Sequence, residues 1–164
     1  MTVEGCALCR GAELDAELGR ELVWESDLWR LTTSIGPGDP TPGFSYLEPK
    51  RHITHITELD GEEALTFGPV LARSCQALKE ATGAEHVYIY VFGDSVPHLH
   101  LHLAPHSAGD ALVETPLRGE FEEKALPSGH LAMLSKDFPA IPDHDLRAVA
   151  AYARELLGTP SPPE

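Results

Sequence analysis

The sequence predicts a mixed chain of antiparallel strands and helix, and three stretches carry that reading. His98-Leu99-His100-Leu101-His102-Leu103-Ala104 alternates without a break, which is the period of a β-strand, so three imidazoles share one face and the leucines pack behind them. Residues 22–24 and 28–33 are short apolar runs parted by Glu25-Ser26-Asp27, the pattern of a hairpin. Between residues 60 and 82, Leu65, Phe67, Val70, Leu71, Leu78 and Ala81 describe an amphipathic helix that stops before Gly83.

The remaining elements fall between these. Gly36-Pro37-Gly38-Asp39-Pro40-Thr41-Pro42-Gly43 is a loop, because its prolines lack amide donors and its glycines favour turns. Residues 44–48 form the next strand, followed by Pro49-Lys50-Arg51-His52. Gly68-Pro69 is expected to kink the long helix or delay its regular start. Val87-Tyr88-Ile89-Tyr90-Val91-Phe92 is a strand, Gly93-Asp94-Ser95 a turn, and the simplest pairing is an antiparallel hairpin with the histidine strand. Beyond Pro105 the pattern weakens, and the acidic patch at Glu120, Glu122 and Glu123 reads as a solvated face. A last helix is expected over about residues 143–157, before a disordered proline-rich tail at 159–164.

A chain of 164 residues, 42% hydrophobic, holds one domain with a substantial core and is too short for two comfortable ones. No apolar run approaches the roughly 20 residues that span a bilayer, and Met-Thr-Val-Glu-Gly-Cys is not a basic segment leading into an apolar one. The expected setting is therefore cytoplasmic, without a membrane. Twelve basic against 26 acidic residues argue against gripping a nucleic-acid polymer, which needs clustered Lys and Arg. An anionic small substrate stays open, since local donors in a pocket outweigh net charge. Cys6-Ala7-Leu8-Cys9 in a reducing compartment points to a metal or redox pair before a structural disulfide.

Three histidines on one strand face suit two chemistries. A neutral imidazole is a good nucleophile toward phosphorus, and neighbouring imidazoles can orient it or pass a proton to a leaving group. Alternate strand positions also suit metal ligation.

His-x-His-x-His followed by two apolar residues resembles the signature of the histidine triad (HIT) family of nucleotidyl hydrolases and transferases. Gly93-Asp94-Ser95-Val96-Pro97 resembles the family's Gly-Gln-Ser/Thr-Val turn, and Leu103-Ala104-Pro105-His106 its Leu-x-Pro-Arg ending. Phe44-Ser45-Tyr46-Leu47-Glu48-Pro49-Lys50-Arg51-His52-Ile53 looks like its strand ending in Pro-Lys-x-His-Ile, and Cys6-x-x-Cys9 sits where many bacterial members carry a zinc-binding pair. The likeness runs over residues 5–108 in consistent order.

The resemblance implies an α+β fold: an antiparallel sheet of about five strands with one long helix, usually paired as a homodimer, here with a C-terminal helix besides. The expected organisation is a catalytic domain over residues 1–110 and an extension over 111–158 packed on the same domain. By position, His100 is the nucleophile that attacks the α-phosphate of a nucleotide or related phosphate conjugate, such as a dinucleoside polyphosphate, and forms a nucleotidyl-histidine. His102 binds phosphate oxygens and assists the leaving group. Cys6, Cys9, His52 and His98 make a closed, structural Zn site.

The departures lie around the substrate. Where family members carry an acidic residue for the ribose, the nearest alignable residue is Ser34; Phe44 replaces a supporting histidine, Asp94 replaces the turn's Gln, and Phe92 stands near a common Asn. An ionised aspartate cannot donate the hydrogen bond that Gln offers a phosphate oxygen, and its charge repels one. Asp94 could instead orient an imidazole or act as a base. Asp94, Ser95, His106, Phe44 and Ser34 are thus the candidate substrate contacts, His106 because it replaces an Arg that faces phosphate. A zinc-stabilised nucleotide- or protein-binding module without turnover, metal catalysis by the three histidines, and a HIT-derived enzyme with a non-standard substrate are the competing readings. His55 and His86 read as surface or strand-end residues, Trp24 and Trp29 as packing or dimer residues, and Cys75 as a buried small hydrophobe.

Overall fold

The structure is a computed structural model that describes residues 5–35, 41–92, 96–110, 120–125, 131–136, 142, 144 and 147. The chain divides into two compact units, Met1–Val113 and Glu114–Glu164. In the first, strands β1 (Arg20–Glu25), β2 (Trp29–Ser34), β3 (Ser45–Pro49), β4 (His86–Tyr90) and β5 (Leu101–His106) form one antiparallel sheet in the order β1-β2-β3-β5-β4. Two helices accompany it, α1 (Ala12–Leu18) and α2 (Gly61–Thr82), which makes the unit α+β as expected. Among the described residues no helix is long and apolar enough to cross a membrane.

The alternation of the strands builds the core. Leu31, Leu47, Leu101 and Leu103 lie on one face of the sheet with Trp29, and Ile53, Leu78 and Leu99 complete a buried cluster. Helix α2 presents Phe67, Val70, Leu71 and Cys75 to it at helical spacing. Each fully buried leucine contributes roughly 1.5–3 kcal/mol over an exposed one. Trp29 places its polar handle as well, its indole N–H donating to Thr66 Oγ1 at 3.0 Å.

Helix α2 begins where its charges favour it, with Glu62 and Glu63 in the first turn, and ends on Gly83 at φ 71°, whose N–H donates to the Lys79 carbonyl at 2.9 Å. It runs unbroken through Pro69, so the expected delay at Gly68-Pro69 does not occur. The proline removes the donor that would serve the Leu65 carbonyl, and Leu65 is 78% exposed, which puts the loss on the solvent side.

The histidine stretch is the main correction. Strand β5 starts at Leu101, so His98 and His100 precede it and only His102 and His106 lie in regular strand. The ladder with β3 ends at Leu47↔Leu101, and the next residues of β3 lead to Pro49, which has no amide to donate. Leu99 instead donates to the Ile53 carbonyl at 2.7 Å, joining this segment to the loop after β3. The expected hairpin with residues 87–92 is present, its strand β4 stopping at Tyr90 opposite His102.

The sequence reading omitted α1 and, in the second unit, a hairpin of β6 (Phe121–Ala125) and β7 (Leu131–Ser135). Glu120, Glu122 and Glu123 are exposed there. Of the helix expected over 143–157 only His144 and Arg147 are described, both helical; the tail lies outside the described residues.

Candidate functional site

Two constellations meet at the segment before β5. A tight 3-10 turn over Leu8–Arg10 brings Cys6 and Cys9 to one side of the N-terminal segment, and Leu8, Leu14 and Val96 pack around them. His52 comes from the loop after β3 and His98 from the segment before β5. Cys6 Sγ lies 3.5 Å from His98 Nδ1, Cys9 Sγ 3.4 Å from His52 Nδ1 and 3.6 Å from His98 Nδ1. One donor atom from each of the four residues falls within 4.8 Å of every other.

That spacing fits a tetrahedral metal ion. Bonds of about 2.3 Å to sulfur and 2.0–2.1 Å to nitrogen at tetrahedral angles separate S from N by about 3.6 Å. The nitrogen of His98 that faces the sulfurs is also the unprotonated one. His98 Nε2 sits 3.0 Å from the Pro49 carbonyl, which can only accept, so Nε2 carries the proton and Nδ1 the lone pair. His98 is buried, and burial lowers its pKa against the opposing pull of the Pro49 carbonyl, which keeps it neutral as a ligand must be. Burial raises the Cys6 thiol, the opposite of what a thiolate needs, and a cation held by these four residues would supply the missing charge. Cys6, Cys9, His52 and His98 are positioned to bind a metal ion.

His100, half-buried, follows immediately. Its Nδ1 lies 2.7 Å from the His98 carbonyl oxygen, so Nδ1–H donates and Nε2 keeps its lone pair. His102 is its neighbour, ring centroids 5.0 Å apart, and aromatic rings bound it on both sides. Tyr46, directly opposite on β3, stands edge-on at 5.3 Å, with Phe44 at 5.7 Å; Phe92, just past β4, lies at 5.6 Å. Burial first, then His100 and Arg20, push His102 down to about 4. At neutral pH it is an uncharged imidazole with one N–H.

Residues that the sequence reading passed over complete this face. Glu48, 1% exposed, takes Arg20 Nη1 at 3.2 Å and Arg30 Nη1 at 3.6 Å, while Arg30 also pairs with the buried Asp15 of α1. Burial raises Glu48 to about 7 against the pull of both arginines. The Arg20 guanidinium lies 3.6 Å over the Tyr46 ring. Phe44, Tyr46 and Glu48 alternate, so a period-two reading puts them on one face; that this face belongs to His102 needed the β3–β5 register.

Of the expected substrate contacts, Phe44 reaches His102. Ser34 ends β2 opposite Arg20, its amide donating to the Phe44 carbonyl at 2.8 Å. His106 is buried four residues beyond His102, about 13 Å along a strand, where it bonds Asp110 at 2.8 Å and stacks on Tyr88. Asp94 and Ser95 lie outside the described residues. His55 and His86 are exposed, as expected of surface positions, and Cys75 packs partly buried against the core.

The model of the HIT domain family matches residues 16–109. No curated protein matches the chain. Among solved structures, a protein from Streptococcus mutans aligns with a TM-score of 0.64 at 20% identity, over 95% of this chain and 87% of that one. A member of the HIT family from Bacillus subtilis gives a TM-score of 0.64 at 18% identity, over 96% and 100% of the two chains. A hypothetical protein from Leishmania major gives 0.60 at 18% identity, over 93% and 96%. At such identities the likeness to these structures is one of fold.

Proposed function

The chain belongs to the HIT family, and from that premise we propose that it is a nucleotide hydrolase or nucleotidyl transferase working through His100. The observation that carries the proposal is the 2.7 Å hydrogen bond from His100 Nδ1–H to the His98 carbonyl, which leaves Nε2 with an unshared pair. A nucleophile needs that pair available and aimed, and the backbone supplies the aim.

The proposed substrate is a nucleotide conjugate, a dinucleoside polyphosphate being the default. His100 Nε2 donates its pair to the α-phosphorus as the bond to the leaving group breaks, and the leaving phosphate takes that bonding pair with no proton required. Water, or another acceptor in a transfer, then attacks the nucleotidyl-histidine; the P–N bond breaks with its electron pair returning to Nε2, the acceptor's proton passes to solvent, and free His100 returns. His102, neutral at rest, offers one N–H to a phosphoryl oxygen. A substrate's negative charge beside it favours the imidazolium and raises its pKa from about 4, which brings a proton within reach of less stable leaving groups.

The metal proposed for Cys6, Cys9, His52 and His98 is Zn. Two thiolates and two imidazoles fill a tetrahedron, so its role is structural: it ties the N-terminal segment to the residue whose carbonyl orients His100. A homodimer in the cytoplasm is the proposed working form.

The test is to incubate the protein with a panel of nucleotide polyphosphates, phosphoramidates and nucleotide sugars and to weigh the intact chain. A nucleotidyl adduct on His100, with turnover, is the expected result. No adduct and no turnover across the panel would replace the enzyme with a zinc-stabilised binding module.

A further inference from the structure

A row of rings runs along the β4 side of His102. Tyr90 stacks against Phe92 at 5.7 Å and 14°, Tyr88 stands edge-on to Tyr90 at 6.2 Å, and His106 stacks on Tyr88 at 4.5 Å. Phe92 heads the row, in contact with His102 and yet 59% exposed. The other flank of His102 is filled by the protein itself: Phe44 and Tyr46 are half-buried there, and Arg20 covers Tyr46. The open flank of His102 is therefore the Phe92 side.

With His100 attacking in line, the departing atom leaves on the side of phosphorus away from it. His102, the next ring, is the group proposed to serve the leaving group, so the leaving group is what its open flank would receive. We propose that Phe92, backed by Tyr90, is a stacking platform that selects a leaving group carrying an aromatic ring over an aliphatic one of the same charge. This rests on His100 being the attacking group. A π-face already stacked on one side by Tyr90 presents its other side to a planar partner. Ile89, also exposed, alternates to the opposite face of β4, and Leu22, exposed on this face, sits on β1 at the far edge of the sheet, so among the described residues the open apolar surface beside His102 is one ring wide. That matches a single ring and falls far short of the roughly 800 Å² that each partner brings to a stable protein interface.

Two β-esters of adenosine diphosphate test the platform, one bearing a naphthylethyl group and the other a cyclohexylethyl group. Their leaving groups share charge and approximate bulk and differ in aromaticity. The wild type is expected to favour the naphthyl ester in kcat/KM by roughly fivefold, Phe92→Leu to bring the ratio to about one, and Phe92→Tyr to keep it. Calorimetric binding of both esters to His100→Ala, with and without Phe92→Leu, reads the platform apart from the reaction. A Phe92-dependent preference in binding with no turnover by the wild type leaves the platform standing and removes the covalent reaction. Equal handling of the two esters, binding of neither, or a preference that survives Phe92→Leu overturns the platform. So does a Phe92→Leu chain that changes only its sedimenting mass, since Phe92 would then be a contact between copies.

Discussion

The backbone carbonyl of His98 accepts a hydrogen bond from His100 Nδ1 at 2.7 Å, while the ring of the same His98 turns its Nδ1 to two cysteine sulfurs. One residue therefore joins the metal site to the proposed nucleophile, by its ring on one side and its main chain on the other. The Pro49 carbonyl fixes the His98 ring from behind, at 3.0 Å from Nε2.

His100→Ala is expected to lower turnover of any nucleotide substrate by a factor on the order of 10³ or more, because no other group replaces the lost covalent route. Its far-UV circular dichroism and metal content should match the wild type, as His100 holds neither core nor metal. Retained turnover would remove His100 from the mechanism.

Cys9→Ser and His52→Ala are each expected to abolish stoichiometric metal by elemental analysis. A chelator should lower Tm by roughly 5–15 °C in the wild type and leave these variants unmoved, since binding energy to a site absent from the unfolded chain is folding energy. Metal that disappears with His102→Asn and persists in Cys9→Ser would assign the ion to the histidine row instead.

Glu48 and His102 oppose one another in the pH dependence of stability. Glu48, raised from 4.5 to about 7, holds a proton in the folded state that the unfolded chain has lost, so its contribution falls as pH rises through that window. His102, lowered from 6.5 to about 4, is neutral when folded and charged when unfolded, so its contribution rises with pH over about 4 to 6.5. Each slope is at most about 1.4 kcal/mol per pH unit. In metal-loaded protein, Glu48→Gln is expected to make stability climb more steeply from pH 5 to 6.5 than in the wild type, and His102→Asn to make it climb less or decline. Urea midpoints at half-unit steps of pH measure both; identical slopes in all three proteins would contradict the burial of these two groups.

Gly43 sets up Phe44 for its place beside His102. At φ 77°, a Cβ there would stand 2.7 Å from Thr82 Cγ2 and 3.3 Å from Pro105 Cγ, and Thr82 is itself tied to the Leu78 carbonyl at 2.7 Å. Gly43→Ala is expected to destabilise the fold by about 1–3 kcal/mol, and to shift the His102 ring resonances in an NMR spectrum. An unchanged urea midpoint would show that this turn yields freely.

Legibility in the chain followed the range of the interactions. The helix over residues 60–82 and the hairpin of β1 and β2 could be read because periodicity and turn residues are local, and the reading came within a residue or two of Gly61–Thr82. Helix α1 was missed because its seven residues carry too little pattern to stand out. The start of β5 was misplaced because alternation continues back to His98 while pairing stops at Leu101, and pairing depends on Pro49, far away in sequence. Arg20 and Glu48 stayed hidden because nothing local distinguishes a surface Arg or Glu from one buried in an ion cluster.

By itself the sequence determined which residue types were available and how they alternate: leucines behind histidines, two cysteines one turn apart, a histidine after Pro49. Alternation and short spacing are properties of the covalent chain. The resemblance implied unequal roles for the three histidines, and only the tertiary structure decided what makes them chemically unequal. Pro49 sets the proton of His98, the His98 carbonyl sets that of His100, and burial among three aromatic rings, then His100 and Arg20, keep His102 uncharged. An imidazole's tautomer and pKa follow from its partners and its burial, and strand register, a long-range property, chooses both.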